Sequence, residues 1–323
     1  MLNITKHRIR VPRVGPGLHS MTAEAYHNDC ADGTPSLSSS IAKIMLSDTP
    51  RHAMLAHPRI NPNYEPDDNK NFDLGSVAHE LILGKGAGFE VLEFPDWRSN
   101  LAKAARAEAI ESGKVPILLH QHEKAAEMAI VAEEAIREID PAFYGDDAES
   151  EVVAVWDDIG GATCRAMIDR FDGVTVWDVK TTDLSLHDSA LARQVVNLGY
   201  DLSAAFYLRG LSQLMPEMAG RFKYRWVWIE ANAPHEVRVM EADSVTLTLG
   251  DKKAALAIEK WRKCIESGKW PGYPRTISTI NYPTWGETQW LEREMNDDDA
   301  INAVTMNAPA KVDRAGSNIL YGG

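Results

Sequence analysis

Hydrophobic and polar residues alternate most regularly in the middle of the chain, between Glu151 and Thr182. The segments EVVAVWD, ATCRAMIDRF and VTVWDVKTT are each rich in β-branched and aromatic residues, which favour strands. The turn sequences DIGG and Asp-Gly separate these segments, and short turns of this kind join antiparallel strands. The pattern therefore predicts a three-stranded antiparallel meander.

Helical periodicity dominates the chain before this meander. Residues 36–47, SLSSSIAKIMLS, predict a helix that a serine caps at its start. Residues 74–84 predict a helix bounded by glycines. Residues 101–139 predict helical structure that is interrupted near 112–116, where a glycine and a proline occur.

Helices and strands alternate after the meander. Residues 185–214 predict two helices, residues 222–230 and 235–242 predict two strands, and residues 245–269 lead into a long helix. This order predicts an α+β fold, in which helices flank a mixed β-sheet that contains an antiparallel hairpin.

The ends of the chain differ in composition from its middle. Residues 1–25 are rich in proline, glycine and histidine, and we expect them to form an irregular N-terminal arm. Residues 26–295 are expected to form a single domain. Residues 296–323 are rich in Asn, Asp, Pro, Gly and Ser, which predicts a weakly ordered tail.

The composition is typical of a globular protein, with 44% hydrophobic and 25% charged residues among 323. The longest apolar runs are much shorter than a membrane span, and the N-terminus lacks the apolar segment of a secretory signal. Cys30, Cys164 and Cys264 are too scattered for a disulfide framework, a zinc site or an iron–sulfur site. We therefore expect a reduced, cytoplasmic protein without a membrane partner.

The formal net charge is −13, which argues against a protein that coats nucleic acid non-specifically. Such binding depends on lysine and arginine. The charge does not exclude a nuclease, because a nuclease needs only a local basic groove and its metal ligands are themselves acidic.

Two aspartates and a lysine lie close together in the meander. Asp169 ends one predicted strand and Asp178 lies in the next, so the turn between them can bring the two carboxylates side by side. Adjacent carboxylates repel each other unless a cation lies between them. Lys180 projects from the same face of its strand as Asp178. It can therefore stabilise charge on a phosphate that the metal binds.

A simpler interpretation of these residues also exists. An Asp-x-Lys sequence can form an exposed ion pair on a strand, and Asp169 can merely lead into a turn. The apolar residues VTVW before Asp178 favour a buried strand end instead. A buried acid needs a partner, and this requirement favours the metal site.

The order of the elements resembles that of the PD-(D/E)xK nucleases. Within this superfamily it is most similar to RecE-type and phage-type exonucleases, which are related to the RecB nuclease domain and to lambda exonuclease. The resemblance covers residues 26–270 and rests on DLGSVAHELILG, CRAMIDRFDGVTVWDVKTT and GYDLSAAFYLRG, together with the stretch 26–52. Several elements in one order are more specific than an Asp-x-Lys sequence alone.

The resemblance implies a metal site and a catalytic lysine. Asp169, Asp178 and the backbone carbonyl of Val179 would bind the metal ion together with His79, which a helix would present. The ion would be Mg²⁺, and Mn²⁺ would be able to replace it. Lys180 would be the catalytic lysine.

The resemblance also implies residues around this centre. Glu151 matches an acid on a strand that lines the catalytic site. The helix that follows the hairpin matches a Gln-x-x-x-Tyr helix, but Ser203 occupies the glutamine position, which weakens the expected contact to DNA. The residues expected to contact DNA are Arg165, Thr181, Thr182 and Tyr207.

The resemblance further implies an activity. A Mg²⁺-dependent exonuclease of this type would degrade one strand of linear double-stranded DNA from its ends, in the 5′→3′ direction, for phage or prophage recombination. It would form a homo-oligomeric ring around DNA and leave single-stranded DNA for a RecT-like annealing protein.

Three alternatives remain open at this point. A repair nuclease of the iron–sulfur class would need clustered cysteines, which this sequence lacks. A catalytically silent module that binds DNA ends or another protein would be indicated by a damaged acid or lysine, and these residues are intact. An endonuclease would also cut circular DNA.

Overall fold

The structure is a computed structural model that describes residues 2–6, 13–65, 74–86, 88–112 and 114–297. The chain divides into two compact units, Met1–Tyr273 and Pro274–Gly323. This division differs from the expected single domain of residues 26–295. Most of the expected tail, residues 298–323, lies outside the described residues.

The first unit contains ten strands among its described residues. They are β1 (Ile4–Lys6), β2 (Gly17–Ser20), β3 (Leu37–Ser38), β4 (Phe89–Leu92), β5 (Val115–Leu118), β6 (Glu149–Asp157), β7 (Thr163–Phe171), β8 (Thr175–Thr182), β9 (Lys223–Glu230) and β10 (Val237–Glu241).

Eight of these strands form one mixed sheet, in the order β1-β2-β6-β7-β8-β9-β10, with β3 paired to β7. The predicted meander corresponds to β6, β7 and β8, which pair in antiparallel fashion. β8 pairs with β9 in parallel, and β9 pairs with β10 in antiparallel fashion. The predicted α+β fold with a mixed sheet is therefore confirmed.

Helices cover the sheet of the first unit. They are α1 (Ala23–His27), α2 (Ser39–Ser47), α3 (Pro50–Leu55), α4 (Leu74–Leu83), α5 (Asn100–Glu111), α6 (Leu119–Ile139), α7 (Asp188–Asn197), α8 (Tyr200–Leu214) and α9 (Ser244–Ser267), with short 3₁₀ turns at Pro141–Tyr144 and Pro216–Met218. The second unit contributes α10 (Thr284–Asn296). None of the helices in the described ranges combines the length and the apolar composition that a membrane span requires.

Two predictions about the N-terminal half differ from the structure. Residues 1–25 were expected to be irregular, but β1 and β2 lie within them and β2 pairs with β6. The predicted break near residues 112–116 is the start of β5, which pairs in parallel with β4. In both cases a strand of four residues or fewer finds its partner far away in the sequence, and local periodicity cannot reveal such pairing.

Each face of the sheet packs against a different set of helices. On one face, α2, α7, α8 and α9 enclose a core that includes Trp156, Phe206 and Trp261. On the other face, α4 and α6 pack against Trp177 and Val179. Because side chains alternate along a strand, Asp178 and Lys180 of β8 point to the first face. This alternation places the acid and the lysine under the helices of the larger core.

Candidate active site

Strands β7 and β8 separate from each other close to the turn that joins them. The two strands form only two residue pairs, the last of which joins Arg170 to Trp177. Beyond this pair, the Oδ2 atom of Asp169 accepts a hydrogen bond of 2.8 Å from the backbone N–H of Val179. The Asp169 carboxylate thus replaces a backbone acceptor that the separated strand no longer offers, and it is fixed between the two strands.

Asp178 and Lys180 form an ion pair on the same face of β8. The Lys180 ammonium lies 2.5 Å from Oδ1 of Asp178 and also donates to the Val179 carbonyl at 3.2 Å. Burial lowers the pKa of this lysine, but Asp178 and Asp169 outweigh burial and raise the pKa above its usual value. Lys180 therefore stays protonated at neutral pH.

The two acids together carry more negative charge than Lys180 balances. Burial raises the pKa of Asp178, Lys180 lowers it, and nearby Asp169 raises it again, so that the pKa stands above its usual value. The hydroxyl of Tyr224 is buried beside Asp178. The two groups nevertheless lack the geometry of a hydrogen bond, which leaves the hydroxyl without a partner among the described residues.

His79 reaches this pair of acids from α4. Its Nε2 atom lies 3.1 Å from Oδ2 of Asp169. Burial disfavours the charged imidazole, but Asp169 outweighs burial and raises the pKa of His79. Burial likewise raises the pKa of Asp169, and His79 and Lys180 reverse this effect and lower it to about 2. The expected ligands His79 and Asp169 are thus in direct contact.

Glu151 lies opposite Asp169 but does not form a regular strand pair with it. The neighbouring positions of β6 pair with Arg170 and Ile168, which places Glu151 across from Asp169 in the register. The φ angle of Glu151 is 50°, a left-handed conformation that costs about 1–3 kcal/mol for a residue with a side chain. Burial raises the pKa of Glu151, and a nearby lysine and His79 oppose this rise. The acid therefore belongs to the same charged cluster.

That nearby lysine is Lys85, which fixes the distorted backbone. Its ammonium donates to the carbonyls of Ser150 and Glu151, at 2.9 and 3.3 Å, and to the hydroxyl of Ser20 at 3.1 Å. The Ser150 hydroxyl in turn donates to the carbonyl of Leu83, at the end of α4, at 2.7 Å. These contacts fasten the helix that carries the histidine to the strand that carries Glu151. Neither Lys85 nor Ser150 was predicted from the sequence.

Lys43 of α2 is a second cation beside the catalytic lysine candidate, and it too was not predicted. Its ammonium lies 4.8 Å from the centre of the Tyr200 ring, and the Lys180 ammonium lies 5.4 Å from the same ring. Within the described ranges, Lys43 forms no ion pair with an acid. Burial and the positive charge of Lys180 lower the pKa of Lys43 to about 8. A single lysine inside the apolar segment IAKIML was the only signal in the sequence.

Replacing Lys43 with methionine is expected to stabilise the protein at pH 7 and to weaken its binding to DNA. The folded state lowers the pKa of Lys43 from 10.5 to about 8, so folding works against protonation. Removing the ammonium is expected to raise the free energy of unfolding by about 1 kcal/mol after allowance for solvent screening. Wild-type stability should rise between about pH 8 and 10.5, where the unfolded chain binds the extra proton.

Urea denaturation at pH 7 and pH 10, with DNA binding followed by fluorescence anisotropy, checks this expectation. Lys103→Met, at an exposed position of α5, serves as the control. A Lys43→Met protein that is less stable than the wild type at pH 7, or that binds DNA equally well, would contradict it.

Two of the residues expected to contact DNA are buried, and their side chains form hydrogen bonds within the protein. Arg165 is 3% exposed, and its guanidinium donates to the hydroxyl of Ser36 at 2.7 Å and pairs with Asp29 at 3.2 Å. Thr182 is 8% exposed, and its hydroxyl donates to Gln194 at 3.0 Å. Neither side chain offers a surface to DNA, because each one completes a hydrogen-bonding network inside the protein.

The other two residues lie at the edge of the site. Thr181 is half-buried at the end of β8, next to the buried Thr182. Tyr207 is half-buried on α8, and its ring packs edge-on against Tyr224 at a centroid distance of 6.1 Å. Burial raises its pKa well above the usual value, and nearby acids, Asp178 among them, add to the rise. Tyr207 thus borders the acidic centre from within the fold, and its contact to DNA remains a prediction.

The donors at this centre suit a hard divalent cation by their chemistry. Asp169, Asp178 and the Val179 carbonyl offer oxygen atoms and His79 offers a nitrogen, and Mg²⁺ and Mn²⁺ accept such ligands. At present these donors are occupied by one another and by Lys180. In the described part of the chain, no three Asp, Glu, His or Cys side chains stand in position to bind one ion. The buried, unpaired Tyr224 hydroxyl is the additional polar group that a hydrated ion beside Asp178 would satisfy.

Comparison with known sequences identifies the family. The profile of a PDDEXK-like domain of unknown function, DUF3799, matches residues 38–282. The chain belongs to this family. This match confirms the expected PD-(D/E)xK superfamily, whose nucleases generally use divalent metal ions. No curated protein matches the sequence.

A solved structure supports the PDDEXK-like fold. A protein from Eubacterium rectale, named "Putative exonuclease", is similar with a TM-score of 0.52 and 14% sequence identity, over 83% of this chain and 98% of that chain. A second protein, SSO0001, has a TM-score of 0.23 and 15% identity over 57% of this chain and 84% of that chain. At such identities the first similarity shows a shared fold, and the second is too low to support an argument.

Proposed function

We propose that this PDDEXK-like protein is a Mg²⁺-dependent exonuclease that degrades one strand of linear double-stranded DNA from its ends, in the 5′→3′ direction. The role would be to produce single-stranded DNA for recombination in a phage or prophage. The observation that carries the proposal is the convergence of His79, Asp169, Asp178 and Lys180 where β7 and β8 separate. The family match supports the nuclease part of this proposal.

Lys180 supplies a positive charge to the reacting phosphate in this proposal. Burial lowers its pKa, but Asp178 and Asp169 raise it and favour the protonated ammonium. A fixed ammonium stabilises the negative charge that develops on phosphate in the transition state. Asp178 orients the ammonium through the 2.5 Å contact, which limits the reorganisation that the reaction requires.

The acids and the histidine would hold the metal ion. A bound divalent ion lowers the pKa of water and withdraws charge from the phosphate oxygens. His79, Asp169, Asp178 and the carbonyl of Val179 are the residues that would bind it. The backbone N–H of Val179 keeps the Asp169 carboxylate between the strands.

Digestion of linear duplexes labelled at either the 5′ or the 3′ end tests this function. With Mg²⁺, we expect early release of the 5′ label as a short product and late release of the 3′ label. With a chelator, neither label should be released. Early loss of the 3′ label would reverse the polarity, and intact duplex in the presence of Mg²⁺ or Mn²⁺ would contradict the nuclease function.

His79→Ala is expected to raise the Mg²⁺ concentration that gives half-maximal cleavage by about tenfold or more. Loss of an imidazole that binds a metal, or that orients a metal-binding carboxylate, typically weakens metal affinity by this amount. A calorimetric titration of the protein with Mn²⁺, in the absence of DNA, gives a second readout. His120→Ala, exposed on α6, is the control. Identical titrations for His79→Ala and the wild type would show that His79 takes no part in metal binding.

We also propose that the protein forms a closed homo-oligomer around DNA and that it works with a single-strand annealing protein. With a net charge of −13, the protein repels DNA at long range, and encirclement would retain the substrate without high affinity. Light scattering should then give a mass of several chains. An excess of competing DNA ends, added during digestion, should not stop cleavage of the first duplex. A monomer that the competitor stops at once would contradict the ring.

A further inference from the structure

Lys43 of α2 lies beside the candidate active site, and contacts along its side chain hold it in place. A Cβ atom at position 199 would lie 3.3 to 3.5 Å from the Cγ, Cδ and Cε atoms of Lys43, so the lysine stem runs along the backbone of Gly199. The φ angle of Gly199 is 63°, a conformation that favours glycine. The Lys43 ammonium lies 4.8 Å from the centre of the Tyr200 ring. These contacts position the ammonium before any ligand binds.

Tyr200 also connects Lys43 to the catalytic lysine candidate. The Lys180 ammonium lies 5.4 Å from the centre of the same ring. An aromatic ring attracts each ammonium, but the two positive charges repel each other. An anion that lies close to both lysines would remove this repulsion.

The acids near Lys43 are already paired with other lysines. The two acids whose charges act on Lys43 are Asp178 and Asp201. Asp178 is paired with Lys180 at 2.5 Å, and the buried Asp201 is paired with Lys253 at 2.5 Å. Within the described ranges, no carboxylate lies at ion-pair distance from the Lys43 ammonium, although the residue is half-buried. A partly buried cation without a counter-ion favours an anionic ligand.

We propose that Lys43 binds the phosphodiester next to the reacting one in the degraded DNA strand, on the side that stays with the duplex. This inference rests on the proposed nuclease function, in which Lys180 already accounts for the reacting phosphate. A strand that is being shortened always presents a further phosphodiester on that side, whereas its terminal nucleotide need not carry a phosphate. The compact ammonium of a lysine suits a single phosphate, and such a contact carries no sequence preference.

Duplexes with single neutral linkages test this phosphate site. Each would carry one uncharged methylphosphonate at the first, second or third linkage from each strand end, with and without a terminal phosphate. The product released in Mg²⁺ identifies the reacting linkage. Binding is measured by fluorescence anisotropy in a chelator, which prevents cleavage.

A neutral linkage next to the reacting one should weaken wild-type binding by about tenfold, the effect of losing one charged hydrogen bond. Lys43→Met should weaken binding of unmodified DNA by a similar factor. The two losses should not multiply, because both remove the same contact. Since Lys43→Met is expected to be more stable than the wild type at pH 7, unfolding would not explain its loss of binding.

The salt dependence of binding gives a second measurement. Lys43→Met should lower the slope of log affinity against log salt concentration by about one, since one phosphate contact is lost. A lysine with a purely structural role would leave this slope unchanged. Lys263→Met is the control, because Lys263 is an exposed lysine of α9 that pairs with Glu259 at 3.0 Å. This control should keep the wild-type slope and the wild-type response to each neutral linkage.

The outcomes separate this inference from the proposed function. Losses that multiply at every linkage, or an unchanged salt slope in Lys43→Met, would overturn the phosphate site and leave the nuclease function standing. Losses that fail to multiply only at the reacting linkage or at a terminal phosphate would overturn it as well. If no DNA is cleaved in Mg²⁺, the proposed function fails. The binding series then still decides the phosphate site: an effect of one internal linkage that disappears in Lys43→Met supports it, and equal effects in both proteins overturn it.

Discussion

Replacing Asp178 with asparagine is expected to reduce DNA cleavage by about a hundredfold or more while the protein stays folded. Asparagine has the shape of aspartate but lacks its charge, so the metal loses a ligand and Lys180 loses the group that orients it. The repulsion between Asp178 and Asp169 also disappears, which should offset the lost ion pair in the free energy of unfolding. Binding of DNA should be equal or tighter, since one negative charge is gone.

Replacing Lys180 with methionine should lower the cleavage rate by a similar factor for a different reason. The variant keeps the acids but loses the charge that stabilises the transition state. It also leaves the buried Asp178 without its counter-ion, so we expect this protein to be less stable than Asp178→Asn.

Single-turnover cleavage and thermal unfolding, measured together, distinguish the two variants. Lys114→Met removes an exposed ion pair with Glu90 and should match the wild type in both measurements. A well-folded Asp178→Asn protein with near-normal turnover would show that the chemistry occurs elsewhere.

The second large effect concerns Asp29, which organises a buried charge network. Its carboxylate is completely buried, accepts the hydroxyl and the backbone N–H of Ser36, and pairs with Arg59 at 3.1 Å and Arg165 at 3.2 Å. Asp29→Asn removes the charge and leaves both guanidinium groups short of a counter-ion. Breaking a buried pair in this way costs about 3–5 kcal/mol of unfolding free energy.

Chemical denaturation of Asp29→Asn checks this value, with Asp32→Asn as an exposed control nearby. Asparagine suits the site sterically, because it tolerates the left-handed backbone of residue 29, where φ is 62°. A loss below about 1 kcal/mol would show that the arginines find other acceptors.

Much of the sheet could be predicted from the sequence because its central strands are long and separated by recognisable turns. β6, β7 and β8 are rich in β-branched and aromatic residues, as expected for strands. A short turn joins each of these strands to the next one in the chain. The pairing of β2 with β6 spans more than a hundred residues. This pairing depends on which edge of the sheet is available, and no local sequence pattern indicates that edge.

The residues of the candidate site also differ in whether local sequence patterns predict them. The spacing of Asp169, Asp178 and Lys180 within one hairpin was sufficient to bring them together, since the hairpin is local. His79 entered through the resemblance to nucleases alone. Lys43 was missed because its neighbourhood is created only when α2 packs over the sheet.

Arg165 is the converse case, because the sequence predicted a contact to DNA for a residue that the structure buries. An arginine on a strand near a predicted nuclease site is a reasonable DNA contact when only charge is considered. The residue that buries it, Asp29, lies 136 positions earlier in the chain. Whether a cation faces solvent or a buried acid is decided by tertiary structure, and the sequence offered no periodicity that distinguished the two.

The most direct test of the proposed metal-dependent exonuclease site compares linear and covalently closed circular duplexes of one sequence, with Mg²⁺ and with a chelator, for the wild type and Asp178→Asn. We expect the wild type to release nucleotides from the linear duplex only when Mg²⁺ is present. The circle should stay intact, and Asp178→Asn should release almost nothing. Cleavage of the circle would indicate an endonuclease, and wild-type activity in Asp178→Asn or in the chelator would contradict a metal-dependent site between β7 and β8.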